Sequence, residues 1–452
     1  MHHYSEATDE LADAIFAAAR KRISEEPVPL DSTSTDEELA AATGATITPQ
    51  GLGGHEALRI FDEILAPSCL SVDYTKYLSF VPAAPTEASV LFDVLVGASS
   101  IYGGSWIEGA GAVHAENEAL QWLVDIAGMP VGSGGVFVAG GTIGNLSAMV
   151  AARGRAESRL NAAGLERPSR WAFLAPRTAH SSVASAARVM DADVIQVEVD
   201  DDFRMTGEAV ADVLASEGYR VAGVVATGGT TNLGRIDHLA DIGRVCREEG
   251  VWFHVDCAYG GAAMAAPSTR PLFHGIELAD SYIVDPHKWL FAPFDCCALL
   301  YRDPAAGRSA HAQHAEYLDF LDGWGEWNPS DFAIHLTRRV RGLPFWFSLA
   351  THGTSAYAEA IEVTLRLTQI AAEKIRAANH LELAIEPSLS VVVFRRKGWT
   401  AQQYQDRSID MMNEERAFVV PSRHEGEPVY RFCFVNPRTT GEDIDDIIDA
   451  LV

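Results

Sequence analysis

The feature of this sequence that most constrains its fold is a regular alternation of short apolar runs and amphipathic stretches between residues 134 and 301. The apolar runs are typical of buried strands, and the stretches between them repeat their apolar residues at helical spacing. The predicted strands are 135–138, 171–174, 194–199, 221–226, 251–255, 282–284 and 298–301, and the predicted helices are 144–153, a helix from Ser181, 208–216 and 238–249. This alternation predicts an α/β fold with a mainly parallel sheet and helices on both faces.

The sequence on either side of this region has a different pattern. Residues 1–75 contain three amphipathic helical segments, with Ser5 as a predicted N-cap and Thr35 and Glu38 as a predicted capping box. The stretch after Trp346 predicts a small α+β C-terminal domain, whose elements are a long helix, strands 391–394 and 429–434, and a helix from Asp443. We therefore expect three parts, residues 1–75, 76–345 and 346–452.

The charge of the chain argues against two classes of partner. Its 452 residues include 35 Lys and Arg against 62 Asp and Glu, a net charge of −27, which repels nucleic acid and anionic membrane surfaces. No apolar run approaches the roughly 20 residues of a membrane span, and no signal-peptide pattern begins the chain, so a cytoplasmic protein is expected. The six cysteines match no zinc-ligand spacing, and we expect buried reduced thiols and no metal site.

Polar segments follow four of the predicted strands, and the carboxyl ends of parallel strands share one edge of a sheet. In the first segment, residues 139–145, small residues lead from a strand into a helix. Their backbone N–H groups could bind a phosphate, although a plain turn would look the same. In the second, His180 could stack on a planar ring and donate a hydrogen bond, or could simply start a helix.

The other two segments carry Asp256 and Lys288. A carboxylate that ends an apolar strand is costly unless it is paired, for example with a protonated pyridine nitrogen, while a cap on the following turn is the alternative for Asp256. Lys288 alone among the five lysines lies between apolar strands, where partial burial is expected to lower its pKa, as a Schiff-base amine requires. Together the four segments suit a ligand with a phosphate, a flat ring, a basic ring nitrogen and an aldehyde, and pyridoxal 5′-phosphate (PLP) has all four.

The motif Asp-Pro-His-Lys-Trp at 285–289, with His-Val-Asp-Cys-Ala-Tyr-Gly-Gly at 254–261, resembles the group II PLP-dependent amino-acid decarboxylases. This family includes the aromatic-amino-acid, histidine and glutamate decarboxylases. Further matches, in the same order along the chain, are 140–142, 179–182, 229–231, 338–343 and 436–440. The resemblance extends from about Tyr77 to the C-terminus.

The resemblance implies a complete cofactor site. Lys288 would form the Schiff base with PLP, Asp256 would pair with the pyridine nitrogen, and His180 would stack on the ring. Gly141, Thr142 and His287 would hold the phosphate, and Thr231, Ala258 and Asp285 would complete the pocket. The fold would be type I, like that of aspartate aminotransferase, in an obligate homodimer. The helices of residues 1–75 would wrap around the partner subunit, and residues 80–85 would line the substrate pocket.

The implied reaction is decarboxylation of an L-amino acid to an amine and CO₂. An aminotransferase, a desulfurase or a homologue without catalysis fits less well, because the motif around Lys288 is that of the decarboxylases and Asp256 and His180 are retained. The substrate is expected to be aromatic, because Gly353 aligns with a glycine common in the aromatic-amino-acid enzymes, although glycine also ends helices.

The sequence leaves two products open. In the resembling decarboxylases, the catalytic loop carries a tyrosine that protonates the carbanion. No tyrosine lies between Leu318 and Phe347 in this sequence, and Tyr317 is the nearest candidate. His180, His335 or water could supply the proton instead, which would give the amine. Otherwise the carbanion could react with oxygen, so decarboxylation coupled to oxidative deamination, giving an aldehyde, is the alternative.

Overall fold

The computed structural model describes residues 3–313 and 327–452. Its N-terminal part consists of helices, which are α1 (Glu6–Ile23), α2 (Asp36–Thr43), α3 (Gly54–Ile60), α4 (Glu87–Ser99) and α5 (Trp106–Ile126). Ser5 is the N-cap of α1, and a capping box begins α2, because the backbone N–H of Glu38 donates to Thr35 Oγ1 at 3.3 Å. Both predicted caps are confirmed, whereas α4 and α5 were not predicted.

The central sheet has seven strands in the order β1-β7-β6-β5-β4-β2-β3. The strands are β1 (Gly134–Val138), β2 (Ala172–Pro176), β3 (Asp193–Val197), β4 (Val221–Thr227), β5 (Trp252–Asp256), β6 (Ser281–Val284) and β7 (Cys297–Tyr301). Strand β7 is antiparallel to both of its neighbours, and the other neighbouring pairs are parallel. The predicted mainly parallel sheet is therefore confirmed.

Helices cover both faces of this sheet. They include α6 (Gly141–Ala163), α7 (Ser181–Val189), α8 (Gly207–Glu217), α9 (Leu239–Glu249) and α10 (Pro304–His311). Successive strand residues pack into different apolar clusters: in β5, Trp252 belongs to one cluster, and Phe253 and Val255 belong to the other. This alternation follows from the two-residue repeat of a strand and leaves the carboxyl edge of the sheet for the polar residues.

The C-terminal part has its own antiparallel sheet in the order β10-β11-β9-β8, which confirms the predicted small α+β domain. Its strands are β8 (Leu381–Ser388), β9 (Val391–Arg396), β10 (Pro421–His424) and β11 (Glu427–Cys433), and its helices are α11 (Leu343–His352), α12 (Thr354–Ala377), α13 (Ala401–Asn413) and α14 (Gly441–Asp449). The predicted boundary after residue 345 falls inside α11, and the division into three parts stays a prediction.

A segment from the first part of the chain joins the C-terminal sheet. The backbone N–H of Leu78 donates to the Phe418 carbonyl at 3.1 Å, and the N–H of Cys433 donates to the Leu78 carbonyl at 3.0 Å. The side chain of Leu78 is buried in the core of the C-terminal domain. Residues far apart in the sequence therefore complete one small core.

Three further expectations concern cysteines, metals and membranes. All six cysteines are free thiols, and five are buried as expected, whereas Cys69 is exposed. Within the described ranges, no group of three or more His, Cys, Asp or Glu side chains is arranged to hold a metal ion. In the same ranges, no helix has both the length and the apolar character needed to cross a bilayer.

Candidate active site

The carboxyl edge of the central sheet forms a cavity of about 340 Å³. Its walls come from the segments that follow β1, β2, β4, β5 and β6, so strand ends separated along the chain meet at one place. All nine predicted site residues line it: Gly141, Thr142, His180, Thr231, Asp256, Ala258, Asp285, His287 and Lys288. The structure therefore brings the predicted residues together, and their individual roles stay predictions.

Lys288 forms an ion pair on the wall of the cavity, since its Nζ lies 2.9 Å from Asp285 Oδ2. Burial alone would lower the pKa of Lys288, but the charge of Asp285 and its hydrogen bond outweigh burial, so the pKa is raised. The expectation of a lowered pKa was therefore wrong for the chain without its cofactor. Burial opposes ionisation of Asp285 in the same way, yet Lys288 and His287 lower its pKa overall.

The start of helix α6 shapes another wall. Gly140 has a φ of 116°, a left-handed conformation that favours glycine, and the helix begins at the next residue. A Cβ atom on Gly141 would lie 3.2 Å from Asp285 Oδ2 and 3.3 Å from Ala258 Cβ, closer than most side-chain contacts. Glycine therefore keeps space open beside the first backbone N–H groups of the helix, which have no hydrogen-bond partner within the helix.

His287 lies across from this helix start and is buried. Its Nδ1 lies 2.7 Å from the Cys296 carbonyl oxygen and 3.0 Å from the Cys296 backbone nitrogen, so the ring tautomer decides which of these two contacts is a hydrogen bond. Its Nε2 lies 3.7 Å from Asp285 Oδ2. Burial lowers the pKa of His287 despite the nearby carboxylate. A neutral imidazole beside the N-terminus of α6 adds no buried charge, and it donates to an anion through Nε2 when that nitrogen carries the ring proton.

Asp256 ends β5 and is almost fully buried, with 5% of its surface exposed. Its Oδ2 accepts a hydrogen bond from Asn145 Nδ2 at 2.8 Å, and its Oδ1 accepts the backbone N–H of Ala258 at 3.0 Å. The second contact is the turn cap that was the alternative interpretation of this residue. Asp256 therefore caps the turn and also presents its carboxylate to the cavity.

His180 starts a helix, as one of its two interpretations expected, and it also lies at the cavity. It is the N-cap of helix α7, where its Nδ1 accepts the backbone N–H of Ser182 at 3.2 Å, and its ring lines the cavity. Sequence reasoning missed Ser182 and Asn145, which also line the cavity. A usable signal was present, because Asn145 lies one helical turn after Gly141 and Ser182 lies two residues after His180.

Several other predicted residues lie elsewhere. Residues 80–85 and Gly353 are absent from the cavity wall of the described chain; Gly353 is exposed with a φ of 77° and ends α11, which favours the helix-terminating interpretation. His335 is also absent from that wall, and burial together with Arg338 and Arg341 lowers its pKa to about 4. Tyr317 lies outside the described residues.

Comparisons with known proteins agree with this geometry. A family model described as the pyridoxal-dependent decarboxylase conserved domain matches residues 56–397. The aromatic-L-amino-acid decarboxylase of Bacillus atrophaeus is 28% identical over 436 residues, which cover 92% of this chain and 88% of that protein. The L-2,4-diaminobutyrate decarboxylase of Acinetobacter baumannii is 29% identical over 401 residues, covering 84% of this chain and 78% of that protein.

A solved structure shows how far the fold is shared. The crystal structure of Oryza sativa TDC with PLP and tryptamine superposes with a TM-score of 0.88 at 22% sequence identity. The superposition covers 98% of this chain and 96% of the rice chain. The likeness therefore includes the N-terminal helices and the C-terminal domain as well as the central sheet.

Proposed function

The chain belongs to the pyridoxal-dependent decarboxylase family and is a PLP-dependent carboxy-lyase of type I fold, and we propose that it converts an aromatic L-amino acid into the amine and CO₂. The observation that carries the proposal is the meeting of a lysine, three carboxylates, two histidines and a helix N-terminus around one cavity. These side chains match the functional groups of PLP. Among the described residues, no group of His, Cys, Asp or Glu is arranged to hold a metal ion.

The shape of the cavity fits the cofactor. A Cβ atom on Gly141 would crowd Asp285 Oδ2 at 3.2 Å, and Gly141 lies at a helix N-terminus suited to a phosphate. We assign Gly141, Thr142 and His287 to the phosphate, Asp256 to the ring nitrogen, His180 to the face of the ring, and Thr231, Ala258 and Asp285 to the remaining walls. Lys288 would hold the aldehyde carbon of PLP.

The cofactor, when bound, supplies an electron-withdrawing ring that accepts the electrons left on the substrate when CO₂ departs. The chain's contribution is electrostatic. Asp256, held by two hydrogen bonds, keeps a negative charge where the ring nitrogen needs a proton. Asp285 keeps Lys288 protonated until a ligand disturbs their pairing.

Reduction with borohydride tests the central assignment. In the holoenzyme, borohydride should fix PLP covalently to one peptide, the one that contains Lys288, and mass spectrometry of a digest would identify it. Lys76 is the matched control. It is paired with Asp446 and does not line the cavity, so it should remain unlabelled. Labelling of any other lysine would contradict the assignment.

The aromatic substrate is supported by similarity to the Bacillus enzyme, although the diaminobutyrate relative is about as similar. Gly353 gives no support from within the chain, because it does not line the cavity. A screen for amine release from the standard amino acids would test the preference. We expect the highest kcat/KM with an aromatic amino acid, and a clearly higher value for an acidic or basic one would contradict it.

An aldehyde product is the second candidate. It is supported by the sequence between Leu318 and Phe347, which has no tyrosine to protonate the carbanion. We favour the amine, since all nine predicted cofactor residues line the cavity. The measurement is the ratio of amine to aldehyde, with oxygen uptake and peroxide followed in parallel. Aldehyde formed with stoichiometric peroxide would overturn the amine.

We also propose a homodimer, in which the N-terminal helices pack on a second copy of this chain. Helix α1 buries none of its residues, and the large apolar side chains Ile15 and Phe16 are exposed on it. Phe80 is exposed too, and the segment 80–85 would then contribute to the substrate pocket at the subunit interface. A cytoplasmic location stays a prediction from the sequence.

A further inference from the structure

A chain of hydrogen bonds, buried except at its last link to His180, runs along the wall of the cavity, and its bonds can be given a direction. We propose that Asn145 and Ser182 are positioning residues, which fix the proton of His180 on Nε2 and hold the carboxylate of Asp256 in place. The inference deepens the proposed function and rests on it, because Asn145 and Ser182 would affect the reaction only through two residues that contact the cofactor, His180 and Asp256. The proton positions themselves are properties of the chain alone.

Asp256 fixes the orientation of the Asn145 amide. An ionised carboxylate can only accept, so the group 2.8 Å from Asp256 Oδ2 has to be the amide nitrogen, Nδ2. The second hydrogen of Nδ2 then points to Ser182 Oγ at 2.9 Å, and Oδ1 faces His254 Nε2 at 2.9 Å. All four residues are at least 95% buried, so water does not substitute for any of these partners.

The orientation of the Asn145 amide fixes the proton of His254. Because Asn145 Oδ1 can only accept, His254 carries its proton on Nε2 and donates it to that oxygen. At the opposite end, an indole nitrogen can only donate, so Trp252 Nε1 donates to Ser281 Oγ at 2.9 Å. Ser281 then has its own proton for His254 Nδ1, which lies 2.8 Å away. Burial lowers the pKa of His254 to about 4, which keeps the ring neutral with a single N–H.

The direction continues from Asn145 to His180. Ser182 Oγ accepts from Asn145, so its own proton is free to bond to His180 Nδ1 at 2.8 Å. The backbone N–H of Ser182 also donates to that nitrogen, at 3.2 Å. A nitrogen that accepts two donors carries no proton, so the ring proton lies on Nε2.

This arrangement gives a neutral His180 one task. Its Nε2–H can donate a hydrogen bond to a ligand in the cavity. In the neutral form, the ring is a poor source for the final proton of the reaction, because losing its single proton would leave an anionic ring. Asn145 acts on both Asp256 and His180, whereas Ser182 acts on His180 alone.

Nitrogen-15 NMR of the histidine rings in the cofactor-free protein tests the proposal. Signals of His180 and His254 would be assigned by their loss in His180→Gln and His254→Gln. We expect both rings as the Nε2–H tautomer in the wild-type chain. In Ser182→Ala, the His180 signal should shift towards a mixture of tautomers while His254 stays unchanged, and Ser182→Thr, which keeps the hydroxyl, should restore the wild-type signal.

A matched control and a second variant make the test sharper. Ser181→Ala changes the neighbouring, exposed serine on the same helix and should leave both histidine signals as they are. In Asn145→Asp, the new carboxylate would accept the Ser182 proton and face Asp256, so His180 should lose its hydroxyl donor. Equilibrium binding of PLP to this variant should weaken at least about tenfold, because two adjacent carboxylates repel each other.

The inference fails if His180 in the wild-type protein carries its proton on Nδ1, or if Ser182→Ala leaves the His180 signal unchanged. Either result is independent of turnover. A chain with the expected tautomers that decarboxylates no amino acid would support the hydrogen-bond directions and overturn the proposed function instead. The two failures are therefore distinguishable.

Discussion

At the scale of single residues, the cavity holds charges that neutralise each other before any ligand arrives. Lys288 is paired with Asp285 at 2.9 Å, and Asp295, at the same cavity, is paired with Arg341 at 2.9 Å. The Asp285 carboxylate stabilises the protonated form of Lys288, and this opposes the burial that would favour the neutral amine. Binding of PLP has to break one of these pairs, and the pair with Lys288 is the one at the reacting atom.

The rate of PLP capture by the cofactor-free protein should therefore rise with pH. The neutral amine is the reactive form, and its fraction grows as the pH approaches the raised pKa of Lys288. Asp285→Asn removes the opposing charge, so burial should dominate and the profile should move to lower pH. Stopped-flow absorbance would measure it. Asp295→Asn is the control and should leave the profile in place; an unshifted profile in Asp285→Asn would contradict the argument.

Loss of the Asp256 charge should reduce turnover strongly. By comparison with the removal of one electrostatic stabiliser at a reacting centre, Asp256→Ala should lose at least ~10²-fold in kcat, or roughly 2.7–4 kcal/mol, while still binding some PLP. Asp256→Asn keeps an oxygen for the backbone N–H of Ala258 and should lose activity as well. If the Asn variant turned over at a near-normal rate, the residue would serve the turn and not the ring.

The sequence identified the residues whose position depends on a strand end. Asp256 and Lys288 were predictable, because Asp256 ends an apolar run, Lys288 lies in the short polar segment after another, and the ends of parallel strands meet. Asn145 was missed, because its partners Asp256 and His254 lie more than a hundred residues away and only the folded sheet brings them together. The raised pKa of Lys288 was missed for a related reason, since the Asp285 charge three residues earlier was treated as part of the pocket and not as a partner.

At the scale of elements, helix α6 shapes the end of the cavity that we propose for the phosphate. Its N-terminus lies against β6 and β7, where the space at Gly144 is bounded by Ile283 and by Cys297 Sγ. Packing this tight fixes the direction of the first turn. The position of the backbone N–H groups at Gly141 and Thr142 therefore depends on small residues along the first turn of this helix.

A methyl group at Gly141 should weaken cofactor binding. Gly141→Ala would place a carbon 3.2 Å from Asp285 Oδ2, so either the helix start or the ion pair has to shift, and we expect PLP affinity to fall by at least about tenfold. Gly154→Ala is the control on the same helix, because its Cβ would meet only Ala310 Cβ at 3.7 Å. That variant should bind PLP normally and unfold at a slightly higher temperature, because alanine is favoured in helices by up to about 1 kcal/mol. Equal effects at both positions would contradict the steric argument.

Elements with a clear polar face were predicted, and those without one were missed. Helix α9 buries Leu239, Ile242 and Val245 at helical spacing, so its pattern was readable. Helix α4 was not readable, because apolar residues occur on most of its circumference, and Leu91 and Leu95 are exposed although they are apolar. Rules that assign apolar residues to the interior of one chain fail where a helix has another surface to cover.

At the scale of the whole molecule, that exposed apolar surface is the main argument for a dimer. Leu91, Val94 and Leu95 lie on one face of α4, at a spacing of three and four residues, and between 40% and 57% of each residue is exposed. Single exposed apolar residues are ordinary in folded proteins, but a contiguous face on a helix is typical of an interface. We expect this face to be covered by the second copy.

Charge on this face should dissociate the dimer. Leu95→Asp would place a carboxylate in the interface, and analytical ultracentrifugation should detect monomers at concentrations where the wild-type protein is dimeric. Val131→Asp is the control, since Val131 is a fully exposed apolar residue in a turn away from α4. An unaltered dimer in Leu95→Asp would place the interface elsewhere, and a wild-type protein that is already monomeric would contradict the homodimer itself.

The contact between Leu78 and the C-terminal strands has a consequence for synthesis of the protein. Leu78 leaves the ribosome more than 300 residues before Phe418, its hydrogen-bond partner. At about 5–20 residues per second, this segment waits on the order of tens of seconds for the sheet it completes. During that interval, its apolar side chains have no native surface to cover. Binding by a chaperone at residues 76–80 would protect the nascent chain until its last strand arrives.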